Sequence, residues 1–278
     1  MSFADHFSGH AAEYARFRPH YPPALFSYLA DLAPSRALAW DCGTGNGQAA
    51  VGLAEHFAAV VATDPSSAQL AEATAHPRVA YRVGAETGSG LAGASVDLVS
   101  AAQALHWFDC EAFYAEVKRV LRPAGVLAVW TYGIPLVAPA IDPLIRAFHT
   151  QTVGPYWPPE RRHVDAGYVT LPFPFPELGV PPFQLRVDLE LSQFVQYVGT
   201  WSAVQRYRST LKRDPLPAFA DQLHPLWGGG GAARPVTWPL VLRVGRLGPG
   251  DVRRETGDGR RETGDGRRET GDTMGNRW

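Results

Sequence analysis

The sequence predicts an α/β fold built on a doubly wound, mostly parallel sheet with helices on both faces, and two observations support this prediction. Along residues 37–133, apolar runs alternate with segments of helical periodicity. The apolar runs are hydrophobic at nearly every position, which is typical of parallel strands that are buried on both faces. An order of β-α-β-α-β followed by β-α-β therefore favours a sheet covered by helices.

Each element of this order follows from a short stretch of sequence. "ALAWDC" and "AAVVATD" are apolar runs, "RVAYRVG" alternates, and Ser66 or Ser67 is a good N-cap for "SSAQLAEATA". The amphipathic segment "CEAFYAEVKRVLR" is expected to end at Pro123 and Gly125. We predict strands at 37–42, 58–64, 78–84, from 95 onward and at 125–133, and helices at 46–57, 66–75 and 110–122.

The chain changes character after Gly133. Residues 134–182 are rich in proline and aromatic residues, which predicts an irregular cap. Residues 183–247 are expected to complete the sheet with strands at 183–192 and 237–247 and a helix at 193–208, which together would add an antiparallel edge. In the last segment, 248–278, the motif "RRETGDG" occurs twice and "RRETGD" once more, with almost no apolar content, so we expect this tail to be disordered.

Composition narrows the class of protein. The 278 residues carry a formal net charge of −1, which does not favour nucleic acid or an anionic membrane surface as a partner. Two cysteines are too few for a disulfide framework or a thiolate zinc cage, so no metal site is expected. The first residues lack the pattern of a secretory signal, and the uncharged stretch 123–141 contains helix-breaking glycines and prolines. We therefore expect a cytoplasmic protein.

The stretch "DCGTGNG" carries the main functional signal. Gly43, Gly45 and Gly47 follow Asp41 at the end of the first predicted strand, where ligands bind in open α/β sheets. Glutamine stands at position 48, where the dinucleotide fingerprint would have glycine, and an acidic residue at the strand end suits an ammonium group better than a pyrophosphate. Asp64 ends the next strand and is placed to accept hydrogen bonds from a ribose. Together these features predict a nucleoside ligand, although each aspartate could also be an ordinary helix-capping residue.

Residues 1 to about 135 resemble the class I S-adenosylmethionine-dependent methyltransferases of the methyltransferase-11 type. The motifs that carry this resemblance are "LAWDCGTGNG", "VVATDPSSAQL", "GAETGSGL", "SVDLVSAAQALHWFD" and "VKRVLRPAGVLAVW". "HAAEYARFRPHYP" and "YVGTWSAVQRYR" are similar to the narrower trans-aconitate-methyltransferase-like group, so the likeness extends to about residue 247. The resemblance implies a seven-stranded, Rossmann-like sheet in a core spanning 36–133, with residues 1–35 as a lid over the cofactor.

The resemblance also implies roles for single residues. The methionine end of S-adenosylmethionine would be held by Asp41, Gly43 and Gly45, the ribose by Asp64, and the adenine by Pro65, Ser66, Ala85 and Glu86. Gln103 would lie near the transferred methyl group, although a polar residue that merely ends a strand is an almost equally good interpretation. The protein would then act mainly by holding the acceptor in line with the methyl group and excluding water.

The methyl acceptor is expected to be a small molecule, with a carboxylic acid as one candidate. His106 could be a general base or a hydrogen-bond donor to the acceptor, and Trp107 could form a wall of its pocket, although such a pair is often structural. Tyr14, Arg18 and Tyr21 in the lid segment are further candidates, since an arginine there could pair with a carboxylate.

Two other functions stay open on the sequence alone, namely an NAD(P)-dependent oxidoreductase and a nucleoside-binding protein without catalysis. The position of Gln48 and the glycine spacing disfavour the oxidoreductase. The chain is expected to act as a monomer or a homodimer.

Overall fold

The computed structural model describes residues 19–228 and 231–248 and confirms the predicted sheet. Seven strands lie in the order β3-β2-β1-β4-β5-β7-β6. Tyr14, Arg18 and the repeat tail 251–278 lie outside the described residues. The strands are β1 (Leu38–Cys42), β2 (Ala59–Asp64), β3 (Val79–Val83), β4 (Val96–Ala102), β5 (Leu121–Tyr132), β6 (Phe183–Leu189) and β7 (Arg234–Arg246).

Strands β1 to β5 are parallel, and β7 pairs antiparallel with both β5 and β6. The predicted antiparallel C-terminal edge is therefore confirmed. Strand β1 lies between β2 and β4, so the chain moves outward in one direction through β2 and β3 and then crosses to β4. A crevice forms at such a reversal, beyond the carboxyl ends of the strands.

Nine α-helices accompany the sheet in the described part of the chain. The predicted helix at 193–208 is two helices, because Trp201 adopts an extended backbone (φ −64°, ψ 131°) between them. The helices are α1 (Pro23–Leu32), α2 (Gln48–Ala54), α3 (Ser67–Ala71), α4 (Cys110–Val120), α5 (Asp142–Ala147), α6 (Arg161–Asp165), α7 (Leu191–Gly199), α8 (Ser202–Leu211) and α9 (Leu216–Trp227).

Four helices, α1, α5, α6 and α9, lie where the sequence signals predicted none, and all but α6 have a proline in the first turn. Helices α1, α5 and α9 begin at or near Pro23, Pro143 and Pro217. Proline is compatible with the first helical turn because the amide hydrogen it lacks has no partner within the helix there. The segment 134–182, expected to be irregular, thus holds α5, a π-helical turn at Phe148–Thr152, a 3₁₀ turn at Gly154–Tyr156 and α6, joined by loops.

Helix α4 is shorter than predicted, because strand β5 begins at Leu121 and includes Pro123. The register between β4 and β5 shifts between Val96 and Leu98, and Ala124 has a positive φ of 64°. This irregular start tolerates the proline, which lacks a ladder donor. The rest of β5 is buried on both faces, with Trp130 inaccessible to solvent.

A separate apolar cluster lies between the C-terminal strands and helices α5, α7, α8 and α9. Phe148 stacks on Phe219 with ring centroids 4.1 Å apart, and the buried Trp238 donates a hydrogen bond to Tyr197 Oη at 2.8 Å. Truncating such aromatic residues to alanine typically costs about 3–5 kcal/mol. This cluster packs helices α5, α7, α8 and α9 against the C-terminal strands.

Candidate active site

A cavity of about 1020 Å³, counting the part that opens to solvent, lies at the carboxyl ends of β1, β2, β4 and β5. We call it the first cavity. It is the crevice expected at the reversal of strand order. The described residues that line it are Tyr21, Gly43, Thr44, Gly45, Asn46, Gln48, Ala49, Asp64, Pro65, Ser66, Gln69, Glu86, Ala102, Gln103, Ala104, Trp107, Phe108 and Tyr132.

The loop after β1 forms the floor of the first cavity. Gly43, Gly45 and Gly47 all have left-handed backbones, with φ of 69°, 56° and 86°. A Cβ atom on Gly43 would lie 2.6 Å from Ala104 Cβ. Gly43 N and Thr44 N both donate to Thr63 O, at 2.8 and 3.0 Å, which ties the loop to β2. Glycine is therefore required at position 43 both by backbone geometry and by space.

Asp41 lies beneath this loop and not in the first cavity, since it is inaccessible to solvent. Its Oδ2 accepts a hydrogen bond from Thr44 Oγ1 and its Oδ1 accepts one from Ser100 Oγ, both at 2.6 Å. Burial raises the pKa of Asp41 to about 6, with a smaller contribution from the charge of Asp64, while the two hydroxyl donors act against this shift. Asp41 thus holds the glycine loop against β4.

Asp64 lines the first cavity and links two loops. Its Oδ2 accepts from Gly45 N at 2.8 Å and its Oδ1 accepts from Ser66 N at 2.9 Å. Pro65 and Ser66 lie beside it in the wall, and Ser66 also caps α3 by accepting from Gln69 N. Asp64 thus joins the glycine loop to the start of α3 and presents its carboxylate in the cavity wall.

The remaining predicted residues near the first cavity follow β3 or belong to the predicted lid. Glu86 lines the first cavity, and its Oε1 accepts from Asp109 N at 3.2 Å. Ala85 is not among the described residues that line the cavity. Tyr21, from the predicted lid, does line it and packs edge-on against Trp130 with ring centroids 5.5 Å apart.

Gln103 follows β4 in a left-handed conformation with φ of 55°, which is uncommon for a residue other than glycine. Its side chain is fixed at both polar ends, since Nε2 donates to Tyr132 O at 3.0 Å and Oε1 accepts from Thr131 Oγ1 at 2.6 Å. Gln103 N also donates to Trp130 O. The side chain is thereby held in the wall between two cavities.

A second cavity, of about 700 Å³ including its open part, lies on the other side of that wall. It shares Gln103, Trp107 and Tyr132 with the first cavity. His106 lines the second cavity only, so the structure separates His106 from the residues around the glycine loop. The remaining described residues of the second cavity are Gly133, Trp157, Pro158, Arg161, Val164, Tyr197, Thr200, Trp201 and Ser202.

Arg161 supplies a guanidinium to a lining that is rich in aromatic side chains. Its Nε donates to Asp165 Oδ1 at 2.8 Å, and its guanidinium carbon lies 4.5 Å from the centroid of the Trp157 ring. Behind it, burial and then the charge of Arg161 lower the pKa of His149 to about 4. A guanidinium held in this way can pair with an anionic group in the cavity.

Most residues of the second cavity are not predicted from the sequence. Trp157, Arg161 and Trp201 belong to segments between residues 154 and 202, and no spacing in the sequence relates them to the glycine motif. The available signals are the density of aromatic residues and prolines and the motif "YVGTWSAVQRYR", which contains Tyr197, Trp201 and two neighbours of Trp201 but does not indicate that they line a cavity. Thr44, Gln69 and Phe108 of the first cavity were also missed, although they lie within or beside the motifs.

The fold and the first cavity together define a class I S-adenosylmethionine-dependent methyltransferase. Comparison with known proteins agrees, because residues 40–129 match the family described as "Methyltransferase domain". A Dictyostelium discoideum protein named as a methyltransferase is 33% identical over 225 residues, which cover 80% of this chain and 86% of that protein. The chain therefore belongs to the methyltransferase family, and this fold implies binding of S-adenosylmethionine.

A solved structure described as a type II methyltransferase from Anaeromyxobacter dehalogenans is 48% identical, with a TM-score of 0.79, and the match covers 83% of this chain and 98% of that one. An uncharacterized methyltransferase of Mycobacterium tuberculosis is 39% identical over 126 residues, covering 45% of this chain and 51% of that protein. Family membership decides against the oxidoreductase and against a binding protein without catalysis. The narrower trans-aconitate-methyltransferase-like resemblance stays a prediction.

Within residues 19–228 and 231–248, no helix is long and apolar enough to cross a membrane. The same residues contain no group of three or more His, Cys, Asp or Glu side chains placed to hold a metal ion.

Proposed function

We propose that this methyltransferase transfers the methyl group of S-adenosylmethionine to a small, anionic acceptor that binds in the second cavity. The observation that carries the proposal is the wall of Gln103, Trp107 and Tyr132 that the two cavities share. A cofactor in the first cavity and an acceptor in the second would meet at this wall. The sulfonium supplies an activated methyl group, so the protein has to position and enclose the reactants.

The first cavity suits the cofactor at several points. Gly43 and Gly45 present bare backbone for the methionine portion, and Asp41 acts there by fixing the loop from below. The Asp64 carboxylate in the cavity wall is a hydrogen-bond acceptor of the kind that the two ribose hydroxyls need. Pro65, Ser66 and Glu86 are proposed to surround the adenine, with Ala85 next to Glu86 in the chain but outside the cavity lining.

The second cavity suits an acceptor that is partly apolar and carries a negative group. Trp157, Trp201 and Tyr197 supply large apolar surfaces, and Arg161 supplies the charge. Pairing an arginine with a carboxylate gives charge-assisted hydrogen bonds with defined geometry. We therefore propose a carboxylic acid as the acceptor class, with its carboxylate at Arg161. The protein would do this as a cytoplasmic monomer or homodimer.

The test combines binding and turnover. Tritiated S-adenosylmethionine is offered with a panel of small carboxylic acids and with matched phenols and amines that lack a carboxyl group. The acids are expected to be labelled, and Arg161→Met should raise their KM about 10- to 100-fold, as expected for loss of a charged hydrogen bond. The Kd for S-adenosylhomocysteine should stay unchanged, because Arg161 does not line the first cavity.

Arg186→Met is the matched control, since Arg186 is an exposed arginine on β6 that lines neither cavity. It should leave both constants unchanged. Equal labelling of acids and of the matched neutral compounds, or an Arg161→Met enzyme with an unchanged KM, would contradict an anionic acceptor.

A further inference from the structure

Gly52 lies in the second turn of α2, directly beside the ring of Phe26 on α1. A Cβ atom at position 52 would overlap Cε2 and Cζ of that ring and lie 2.6 Å from its Cδ2. Glycine is normally less favourable than alanine inside a helix, because it loses more conformational freedom on folding. The buried Phe26 ring gives a physical reason for glycine here, since the ring fills the space that a side chain would take.

Helix α1, which carries Phe26, is also attached to the C-terminal part of the sheet. Tyr28 Oη donates to Gly179 O, in the loop before β6, at 2.9 Å. Arg246 Nη2, on β7, donates to Leu32 O at 3.1 Å. Because these bonds hold the middle and the end of α1, an atom added on the facing side of α2 would displace the ring of Phe26 and not the whole helix.

Tyr21 precedes α1 and is connected to it by two prolines. Pro22 has φ of −67°, and α1 begins at Pro23, so two proline rings restrict the connection. The Tyr21 ring packs edge-on against Phe26 and Trp130, with ring centroids 6.3 and 5.5 Å away. Trp130 is inaccessible to solvent within β5. Phe26 thus links the position of Tyr21 to the packing of α1 on α2.

We infer that Phe26, seated beside Gly52, is a positioning residue that sets the Tyr21 ring in the wall of the first cavity. Tyr21 lines this cavity, whereas Phe26 and Gly52 line neither cavity, so their effect on a ligand passes through a neighbour. A wall side chain that is already in place spares the ligand the entropy cost of ordering it. The inference rests on the proposed function in taking the first cavity as the cofactor site, and it adds a residue outside that cavity to the determinants of cofactor affinity.

Gly52→Ala tests the contact from the side of α2. The added methyl group should push the Phe26 ring aside and release Tyr21. The Kd for S-adenosylhomocysteine in calorimetry should then rise about 3- to 10-fold, which corresponds to ordering one large side chain. Phe26→Leu leaves the space beside Gly52 partly empty and should also raise the Kd, by about threefold. Circular dichroism is used to verify that each variant is folded at the temperature of the titration.

The double variant Gly52→Ala/Phe26→Leu should recover the affinity. Leucine lacks the two ring atoms that the new Cβ would overlap, and the alanine fills the space that leucine leaves. Its Kd should therefore lie within about twofold of the wild type, as expected for a volume-conserving exchange. A Kd unchanged in Gly52→Ala, or two single losses that simply add in the double variant, would overturn the inference. Should Gly52→Ala be unfolded, a double variant that binds no better than Phe26→Leu would overturn it equally.

The route through Tyr21 is tested in a second background. Gln48 and Ala49 of α2 also line the first cavity and offer another route from Gly52 to the ligand. In Tyr21→Ala, adding Gly52→Ala should change the Kd by less than about twofold, because the Tyr21 ring that it would release is absent. A full loss in this background would mean that the effect runs through α2, and would overturn the role of Phe26.

Phe57→Leu is the matched control, because Phe57 is a buried phenylalanine of the apolar cluster that also contains Phe26, and it lines neither cavity. It should lower the melting temperature and leave the Kd unchanged. A Kd raised as much as in Phe26→Leu would mean that loss of core packing alone weakens binding, which contradicts a specific role for Phe26. The wild type tests the proposed function separately. If it binds no S-adenosylhomocysteine, the cofactor assignment fails, whereas binding that the variants leave unaffected overturns this inference alone.

Discussion

Replacing Gly43 with alanine should damage the first cavity much more than the same change at Gly45. Both glycines have left-handed backbones, which cost other residues about 1–2 kcal/mol. At Gly43 the added Cβ would also lie 2.6 Å from Ala104 Cβ and 3.0 Å from the Phe108 ring, so the loop has to move. Overpacking of this kind adds about 1–3 kcal/mol. Gly43→Ala should therefore cost about 2–5 kcal/mol in free energy of unfolding.

Gly45→Ala is the matched control, because the nearest atom to its added Cβ is Gln69 Oε1 at 3.8 Å. It should cost only the backbone term of about 1–2 kcal/mol. Thermal denaturation measures the difference, at roughly 2–4 °C per kcal/mol for a domain of this size. Gly43→Ala should also weaken S-adenosylhomocysteine binding in calorimetry, since the displaced loop lines the first cavity. Equal melting temperatures for the two variants would refute the role assigned to the Ala104 contact.

The glycine loop and the two aspartates that hold it can be tested in three further ways. S-adenosylhomocysteine should bind the wild type with a micromolar Kd or better, about −8 kcal/mol, and a folded protein without binding heat would contradict the cofactor assignment. Asp64→Asn should leave Gly45 N or Ser66 N without its acceptor, which costs about 1–3 kcal/mol in unfolding free energy. The same variant should bind S-adenosylhomocysteine more weakly, and an unchanged affinity would mean that Asp64 does not belong to the site. Because the pKa of Asp41 is raised, its stabilising contribution is complete below about pH 4 and is lost as the pH rises through about 6. The unfolding free energy of Asp41→Asn relative to wild type should therefore increase by about 3 kcal/mol between pH 4 and pH 7. Parallel pH profiles of the two proteins would refute this.

The sheet could be predicted because its signals are local. The strands that became β1, β2 and β3 are short apolar or alternating runs bounded by glycine, serine or aspartate, and their predicted limits differ from the observed ones by one residue at an end. The C-terminal edge could also be predicted, since β6 and β7 alternate and are separated by helical sequence. Helices α1, α5 and α9 could not, because proline in a first turn has the same sequence signal as proline in a loop.

The residues of the candidate site likewise divide into those with a local sequence signal and those without one. The residues around the first cavity lie in the segments that directly follow strand ends, between positions 43 and 108 apart from Tyr21 and Tyr132. A contiguous motif therefore indicates most of them. Even so, the sequence did not distinguish a residue that faces the ligand from one that supports the loop. Asp41 shows this, because only its three-dimensional contacts with Ser100 and Thr44 place it beneath the cavity.

Gln103 marks the limit of what the motifs could reveal. The fourth-strand motif places it at the end of β4, which is why a position near the methyl group could be predicted. Its amide, however, is bonded to Thr131 and Tyr132 on β5. No spacing in the sequence connects residues 131 and 132 to residue 103. Since both polar ends of the amide are held by β5, we expect its strongest effect on the reaction to come from fixing the wall that the two cavities share, and not from direct contact with the methyl group.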